Sequence, residues 1–247
     1  MVIPLQKKYP MRIFSVLVLF CVLTVLYSCG NPVGKSTKSS SPADSSTVFS
    51  GTKPSADVPD DGTDRAKAYQ LFQQGTKEMK EQRYQDAVTT FLSAMEYDPS
   101  NPLIYYNLGS CYYSLKEYSL ALSYFGDAIR FNPSDTSALV YSGMIHYLEG
   151  RIQESINYYT QALNINDKLY MAWYNRGTSY GRIEDYEKAI ADFSRAILIN
   201  PVHGNSFMNR GLAYYYSGNT DLACKDWKKA SSLGLGIADE AIRQYCP

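Results

Sequence analysis

The side chains with chemical reach in this chain are few and dispersed. Gly30-Asn31-Pro32-Val33-Gly34-Lys35-Ser36 has the outline of a phosphate-cradling loop. Three residues separate its glycines where four are needed, and a Ser-rich stretch follows where a helix must begin. Nucleotide binding is not expected. The two histidines, His146 and His203, stand far from each other. His146 reads as a half-buried packing residue and His203 as a solvated loop residue. Acidic pairs such as Glu184-Asp185 sit in short polar turns. The five cysteines show no metal-ligand spacing. No nucleophile, base and orienting acid converge, so no enzyme chemistry and no cofactor or metal are expected. The 24 basic and 24 acidic residues balance, which gives no electrostatic footprint for nucleic acid.

One cysteine has a setting of its own. Lys7, Lys8 and Arg12 precede a mostly apolar run from Ile13 to Tyr27, followed by Ser28-Cys29-Gly30. That run is short for a membrane span, which needs about 20 residues. It has the length of the apolar core of an export signal. Leu26-Tyr27-Ser28-Cys29 resembles a bacterial lipobox, with Tyr27 where a small residue is usual. The resemblance implies a signal peptide over 1–28 and lipidation of Cys29. Acyl chains contribute about 0.8 kcal/mol per buried CH₂, so they would anchor the chain without a membrane helix. Gly30, in place of the Asp that retains such proteins at the inner membrane, favours the periplasmic face of the outer membrane. Residues 29–63 are rich in Ser, Thr and Pro and poor in large apolar residues, so they read as a disordered tether.

Beyond the tether the chain repeats itself. With a period of 34 from Ala68, the eighth position reads Gly75, Gly109, Gly143, Gly177 and Gly211. The twentieth reads Ala87, Ala121, Ser155, Ala189 and Ala223, and the twenty-seventh is Ala throughout, from Ala94 to Ala230. The twenty-fourth is aromatic: Phe91, Phe125, Tyr159, Phe193 and Trp227. The thirty-second reads Pro99, Pro133, Asp167, Pro201 and Leu235. Each unit holds two helical apolar patterns around a polar turn. The small residues are expected to let the two helices approach, and the aromatics to fill the space between one pair and the next. Proline ends the second helix, and Asn101-Pro102 restarts the next as cap and first residue. Such units bury their apolar faces only by stacking.

Trp173-Tyr174-Asn175-Arg176-Gly177-Thr178-Ser179-Tyr180, with the Ala, aromatic and Pro columns, resembles the tetratricopeptide repeat (TPR) family, of the bacterial lipoprotein type. The resemblance implies an all-α fold: a right-handed α-solenoid of five helix hairpins over 68–101, 102–135, 136–169, 170–203 and 204–237, within a domain spanning 64–247. Gln74 and Glu78 in the first repeat, and His146, Ser155 and Asp167 in the third, depart from the pattern. Ile237, Ala238, Ala241, Ile242 and Tyr245 are spaced for a cap helix over 237–245. The cap must fold back on the fifth repeat, which brings Cys224 and Cys246 within reach of a disulfide.

The resemblance also implies a concave groove lined by the first helix of each pair. Its sixth position carries Asn107, Asn175 and Asn209, whose amides suit a peptide backbone. Tyr106, Tyr174, Tyr113, Tyr147 and Tyr215 add rigid contact area with polar tips. The second, fifth and sixth positions hold no Lys or Arg, which argues against a terminal-carboxylate clamp. The expected activity is protein or peptide binding at a bacterial envelope. An accessory ligand-binding subunit of an envelope transport system is the second reading, and an apolar-lined pore through an oligomer would favour it.

Overall fold

The computed structural model describes residues 62–247. The signal-like segment, Cys29, the tether up to residue 61 and the loop at Gly30–Ser36 lie outside the described residues. Eleven helices and no strands occur among the described residues. They are α1 (Thr63–Lys80), α2 (Tyr84–Tyr97), α3 (Pro102–Ser114), α4 (Tyr118–Phe131), α5 (Thr136–Leu148), α6 (Ile152–Ile165), α7 (Tyr170–Arg182), α8 (Tyr186–Ile199), α9 (Gly204–Tyr216), α10 (Thr220–Ser232) and α11 (Ile237–Tyr245). Consecutive helices pack on each other throughout, making five hairpins and a final single helix. This is the solenoid that the 34-residue period predicts.

The start and stop signals work as local chemistry demands. Asn101 accepts the Leu103 N–H at 3.1 Å and Pro102 opens α3, so the donor that proline lacks is one the helix would leave unpaired anyway. Asp135 caps α5 by accepting from Ser137 and Ala138, both at 3.0 Å. Within each hairpin the fifteenth position turns left-handed: Gln82, Lys116, Gly150, Glu184 and Gly218 all have positive φ, between 60° and 87°. Around each, the backbone closes a helix-terminating pair of hydrogen bonds, such as Lys116 N–H to Tyr113 O and Glu117 N–H to Tyr112 O. Glycine takes that conformation without strain at only two of the five turns.

The core is assembled from the repeating columns. The alanines at the twenty-seventh position are fully buried, and so is the twentieth column, Ser155 included. Sequence reasoning set the aromatics between one hairpin and the next. The structure instead lays each aromatic across the glycine of its own hairpin. A Cβ placed on Gly109 would come within 2.7 Å of the Phe125 ring, and one on Gly211 within 2.7 Å of Trp227. The small column and the aromatic column are therefore two halves of one contact. Ser155, where alanine stands elsewhere, meets Ser179 of the next hairpin Oγ to Oγ at 2.8 Å. In the first repeat, the buried Glu78 accepts from Thr90 Oγ1 at 2.7 Å and from Gln74 Nε2 at 2.9 Å. These departures from the pattern are thus internally bonded.

Successive hairpins are stapled by side chains. Arg176 grips Asp192 with two hydrogen bonds, at 2.7 and 2.9 Å, and donates a third to Thr160 Oγ1 of the preceding hairpin at 3.0 Å. Arg210, Asp226 and Ser194 repeat the arrangement 34 residues on, at 2.7, 2.8 and 2.9 Å. Burial pushes the Asp192 carboxyl up, against the pull of Arg176. Tyr105 OH and Trp173 Nε1 reach back to the carbonyls of Pro99 and Asp167, each at 2.7 Å. The last hairpin is closed by α11, which buries Ala238 and Ala241 and sets Tyr245 against Tyr215 and Trp227. The Cys224–Cys246 disulfide joins α10 to the end of this cap, with Cα atoms 5.7 Å apart. Cross-linking a loop of this size removes about 3 kcal/mol of unfolded-chain entropy in the loop-closure account.

Two glycine substitutions should act with opposite sign. Gly109→Ala forces a methyl group into the Phe125 ring and should cost about 1–3 kcal/mol. Gly126→Ala, on the exposed side of α4 with nothing within 4 Å, should stabilise by about 1 kcal/mol. Urea melts of the two variants against the parent chain measure both.

Candidate functional site

The first helices of the hairpins, α1, α3, α5, α7 and α9, carry the positions expected to face a ligand. Tyr106 is half-buried against Phe125 and Tyr141, at centroid distances of 5.9 and 6.2 Å. Tyr113 stands edge-on to Tyr141 at 5.2 Å, and burial pushes its phenol up to about 12. Tyr141 in turn stacks on Phe125 at 5.4 Å. Tyr147 and Asn107 are half-buried on the same helices. Repeats 2 and 3 therefore present a wall of tyrosine rings. Neither α3 nor α5 carries an Asp, Glu, Lys or Arg, and burial holds the one histidine, His146 on α5, toward its neutral form.

Three of the expected residues stand elsewhere. Tyr174 and Asn209 are only 4% and 7% exposed, and the Asn209 amide donates to Tyr174 OH at 3.1 Å. They tie α7 to α9 within the stack. Tyr215 packs under the cap, 4.8 Å from Tyr245 and 5.9 Å from Trp227. A sixth-position Asn and a fifth-position Tyr at successive repeats can bond to each other, which a single-repeat reading does not reveal.

Asn175 remains half-buried on α7, and its Nδ2 is buried with no hydrogen-bond partner within the protein. Asn205, at the start of α9, has a buried Oδ1 in the same condition. One amide thus offers a spare donor and the other a spare acceptor on neighbouring first helices. A buried polar group left unpaired costs about 1–3 kcal/mol, and because both atoms are closed off from solvent, a ligand recovers it only when the two side chains turn outward. Asn205 was absent from the sequence-based set, although it occupies the second position, one expected to face the groove. A cavity of about 250 Å³ opens between α5 and the start of α7, with Val140, Tyr141, Leu169 and Met171 in its wall and Lys168 beside them. Sequence reasoning missed it because its wall is shared by two repeats.

The histidines take no part in a reactive cluster. His146 stacks on Tyr158 at 5.1 Å and accepts from Arg151 Nε at 2.7 Å. His203 differs from the solvated loop residue expected. It is half-buried at the start of α9, edge-on to Tyr174 at 4.9 Å and to Tyr170 at 5.2 Å, with Nδ1 2.7 Å from Ser206 Oγ. The two rings, both from α7, exclude water from it, and this burial lowers its pKa below 6.5. Cys111, the free cysteine among the described residues, is fully buried, and burial pushes its thiol up to about 12. It is a packing residue without nucleophilic character. Among the described residues no group of His, Cys, Asp and Glu is placed to hold a metal ion, and no helix is long and apolar enough to cross a membrane.

Comparison with known proteins points to one architecture. Models described as tetratricopeptide repeat or TPR repeat match residues 75–116, 102–135, 137–169 and 170–203. No curated protein sequence matches the chain. Among solved structures, MamA from Desulfovibrio magneticus RS-1 is similar with a TM-score of 0.64 at 16% identity, covering 68% of this chain and 95% of its own. YrrB, described as a TPR protein with an unusual peptide-binding site, gives 0.63 at 20%, covering 74% and 95%. PilW, described as a widely conserved type IV pilus biogenesis factor, gives 0.60 at 22%, covering 67% and 77%. At these identities the likeness is one of fold.

The placement of His203 gives stability a pH dependence of definite sign. Well above pH 6.5 the imidazole is neutral in both the folded and the unfolded chain. As pH falls below that value, the unfolded chain takes up a proton that the folded one resists. Stability should therefore decline toward acid until the folded pKa is reached. His203→Asn should flatten this decline, read as the difference in melting temperature between about pH 7.5 and about pH 5.

Proposed function

Because the chain belongs to the tetratricopeptide repeat family, we propose that it is a lipid-anchored interaction scaffold that holds an extended protein segment at the bacterial envelope. The family and the stacked hairpins support protein or peptide binding. The observation that carries the finer reading is the unpaired donor of Asn175 and the unpaired acceptor of Asn205 on adjacent first helices. A peptide backbone supplies both complements at every residue. The tyrosine wall of Tyr106, Tyr113, Tyr141 and Tyr147 continues the same face with rigid contact area. Tyrosine loses little conformational freedom on binding and is enriched where binding energy concentrates. The nearly charge-free helices α3 and α5 favour a segment that carries few charges over a densely acidic or basic tail.

Anchoring rests on Cys29 and its lipobox-like surroundings, and the outer-membrane assignment on Gly30. The Ser/Thr/Pro-rich stretch between Cys29 and α1 would let the repeats stand off the lipid surface. Its root-mean-square span, taken as a flexible chain, is roughly 30 Å. An accessory ligand-binding subunit of an envelope transport system would use the same face. It would require oligomerisation around a shared apolar pore, and the partly polar, tyrosine-lined face described above favours the scaffold.

The groove is tested by in-cell crosslinking of a tagged chain that carries Asn107→Ala, Asn175→Ala and Asn205→Ala together. Loss of two or three hydrogen bonds should reduce recovery of the specific partner by about tenfold or more. Gln161→Ala, on an exposed surface of α6, should leave recovery unchanged. Equal recovery from both variants would refute the groove. Asn209→Ala is unsuitable, because it strands the buried Tyr174 hydroxyl. The anchor has its own test. Cys29→Ser should move the chain from the membrane to the soluble fraction and abolish incorporation of a labelled fatty acid.

A further inference from the structure

We infer that the cavity between α5 and α7 is a socket for one apolar side chain of the bound peptide, with an acidic residue beside that side chain. The inference rests on the groove reading and gives the ligand a sequence requirement. At about 250 Å³ the cavity falls below the roughly 300–1,000 Å³ of small-molecule sites, and it suits a single side chain of leucine or methionine size. Val140, Leu169, Met171 and the ring of Tyr141 make most of its wall apolar, with the hydroxyls of Thr136 and Ser137 as exceptions, so a polar side chain entering it would lose water and gain few partners.

The charge requirement comes from Lys168. It is exposed, borders the cavity, and forms no ion pair among the described residues. Asp135, at the start of α5, is engaged by the N–H groups of Ser137 and Ala138. The carboxylates nearest in sequence to the cavity wall, Asp135 and Asp167, form no ion pair with Lys168, and α3 and α5 carry no Asp, Glu, Lys or Arg, so Lys168 is the cation that borders the cavity and can meet a partner's carboxylate beside the anchor.

The register follows from helix geometry. Met171 and Asn175 lie one turn apart on α7, so the socket and the spare amide donor share a face. Neighbouring packed helices are about 8–10 Å apart, and an extended chain advances about 3.3 Å per residue. Each repeat therefore spans about three peptide residues. The anchor occupies the socket at repeats 3 and 4, and the backbone about three residues away meets Asn175 and Asn205.

The test uses three terminally blocked Ser/Thr heptapeptides whose central pair is Leu-Glu, Leu-Lys or Ser-Glu. They are titrated into the full-length chain, with methionine methyl groups and asparagine side-chain amides observed by NMR. The Leu-Glu peptide should shift the Met171 methyl resonance saturably, and the Ser-Glu peptide should not. Val140→Trp, which fills the cavity, should abolish the response. Leu-Glu should bind about two- to fivefold more tightly than Leu-Lys, and Lys168→Glu should reverse that order on an exposed side chain that does not threaten folding. If the Asn175 and Asn205 amides respond while Met171 does not, or if Ser-Glu acts like Leu-Glu, the groove stands and the socket is wrong. An unchanged order with Lys168→Glu removes the acidic neighbour from the proposal. If no resonance moves, the socket and the groove both fall.

Discussion

The structure depends on one contact made five times: an aromatic ring pressed against a glycine across each hairpin. The ring has no room for even a methyl group beneath it at Gly75, Gly109, Gly143 and Gly211. That contact sets the distance between the two helices of a pair. The buried alanine columns can then close around it, and the next pair receives a surface of constant shape. A larger residue in the glycine column would displace the ring and change the angle at which every later hairpin docks. Interiors this tightly packed transmit such shifts instead of absorbing them. The ring itself varies among Phe, Tyr and Trp, because what is constrained is the absence of a side chain at the glycine it touches.

The fold was legible because it is written in columns. Periodicity located all five hairpins and the cap, and Asn101-Pro102 marked a helix start that the structure reproduces. What did not show was the pairing between columns. Residues at the eighth and twenty-fourth positions were each recognised as special, but the direct contact between them is a three-dimensional fact. The Arg176 and Arg210 staples were likewise invisible, since each joins three side chains from three helices and two repeats. The residues in repeats 1 and 3 that depart from the pattern gave no sign in the sequence of what they would bond to. Glu78 with Thr90, and Ser155 with Ser179, show substitutions whose hydrogen bonds are made within the stack.

The candidate site was less legible, for a related reason. Family positions identify which side of a helix faces the groove, but not which side chains are consumed by their neighbours. Asn209 and Tyr174 satisfy each other and so are withdrawn from the surface, while Asn175, one repeat earlier, keeps a spare donor because the position equivalent to Tyr174 is Val140, which has no hydroxyl to accept it. His203 was misplaced by the same blindness. A residue in a connecting turn reads as solvated until the rings of Tyr170 and Tyr174 are seen around it. Individual side chains in a repeat protein acquire their roles from the repeat next door.

The cap and its disulfide make the two ends of the stack unequal. A solenoid has no intrinsic terminus: every hairpin leaves a face that another hairpin would fit. At the carboxyl end that face is roofed by α11 and welded shut through Cys224 and Cys246. At the amino end Tyr69 lies 65% exposed on α1, with no preceding hairpin among the described residues. Among the described residues the stack therefore has a built-in polarity, with one end covered and covalently fixed and the other presenting an exposed ring.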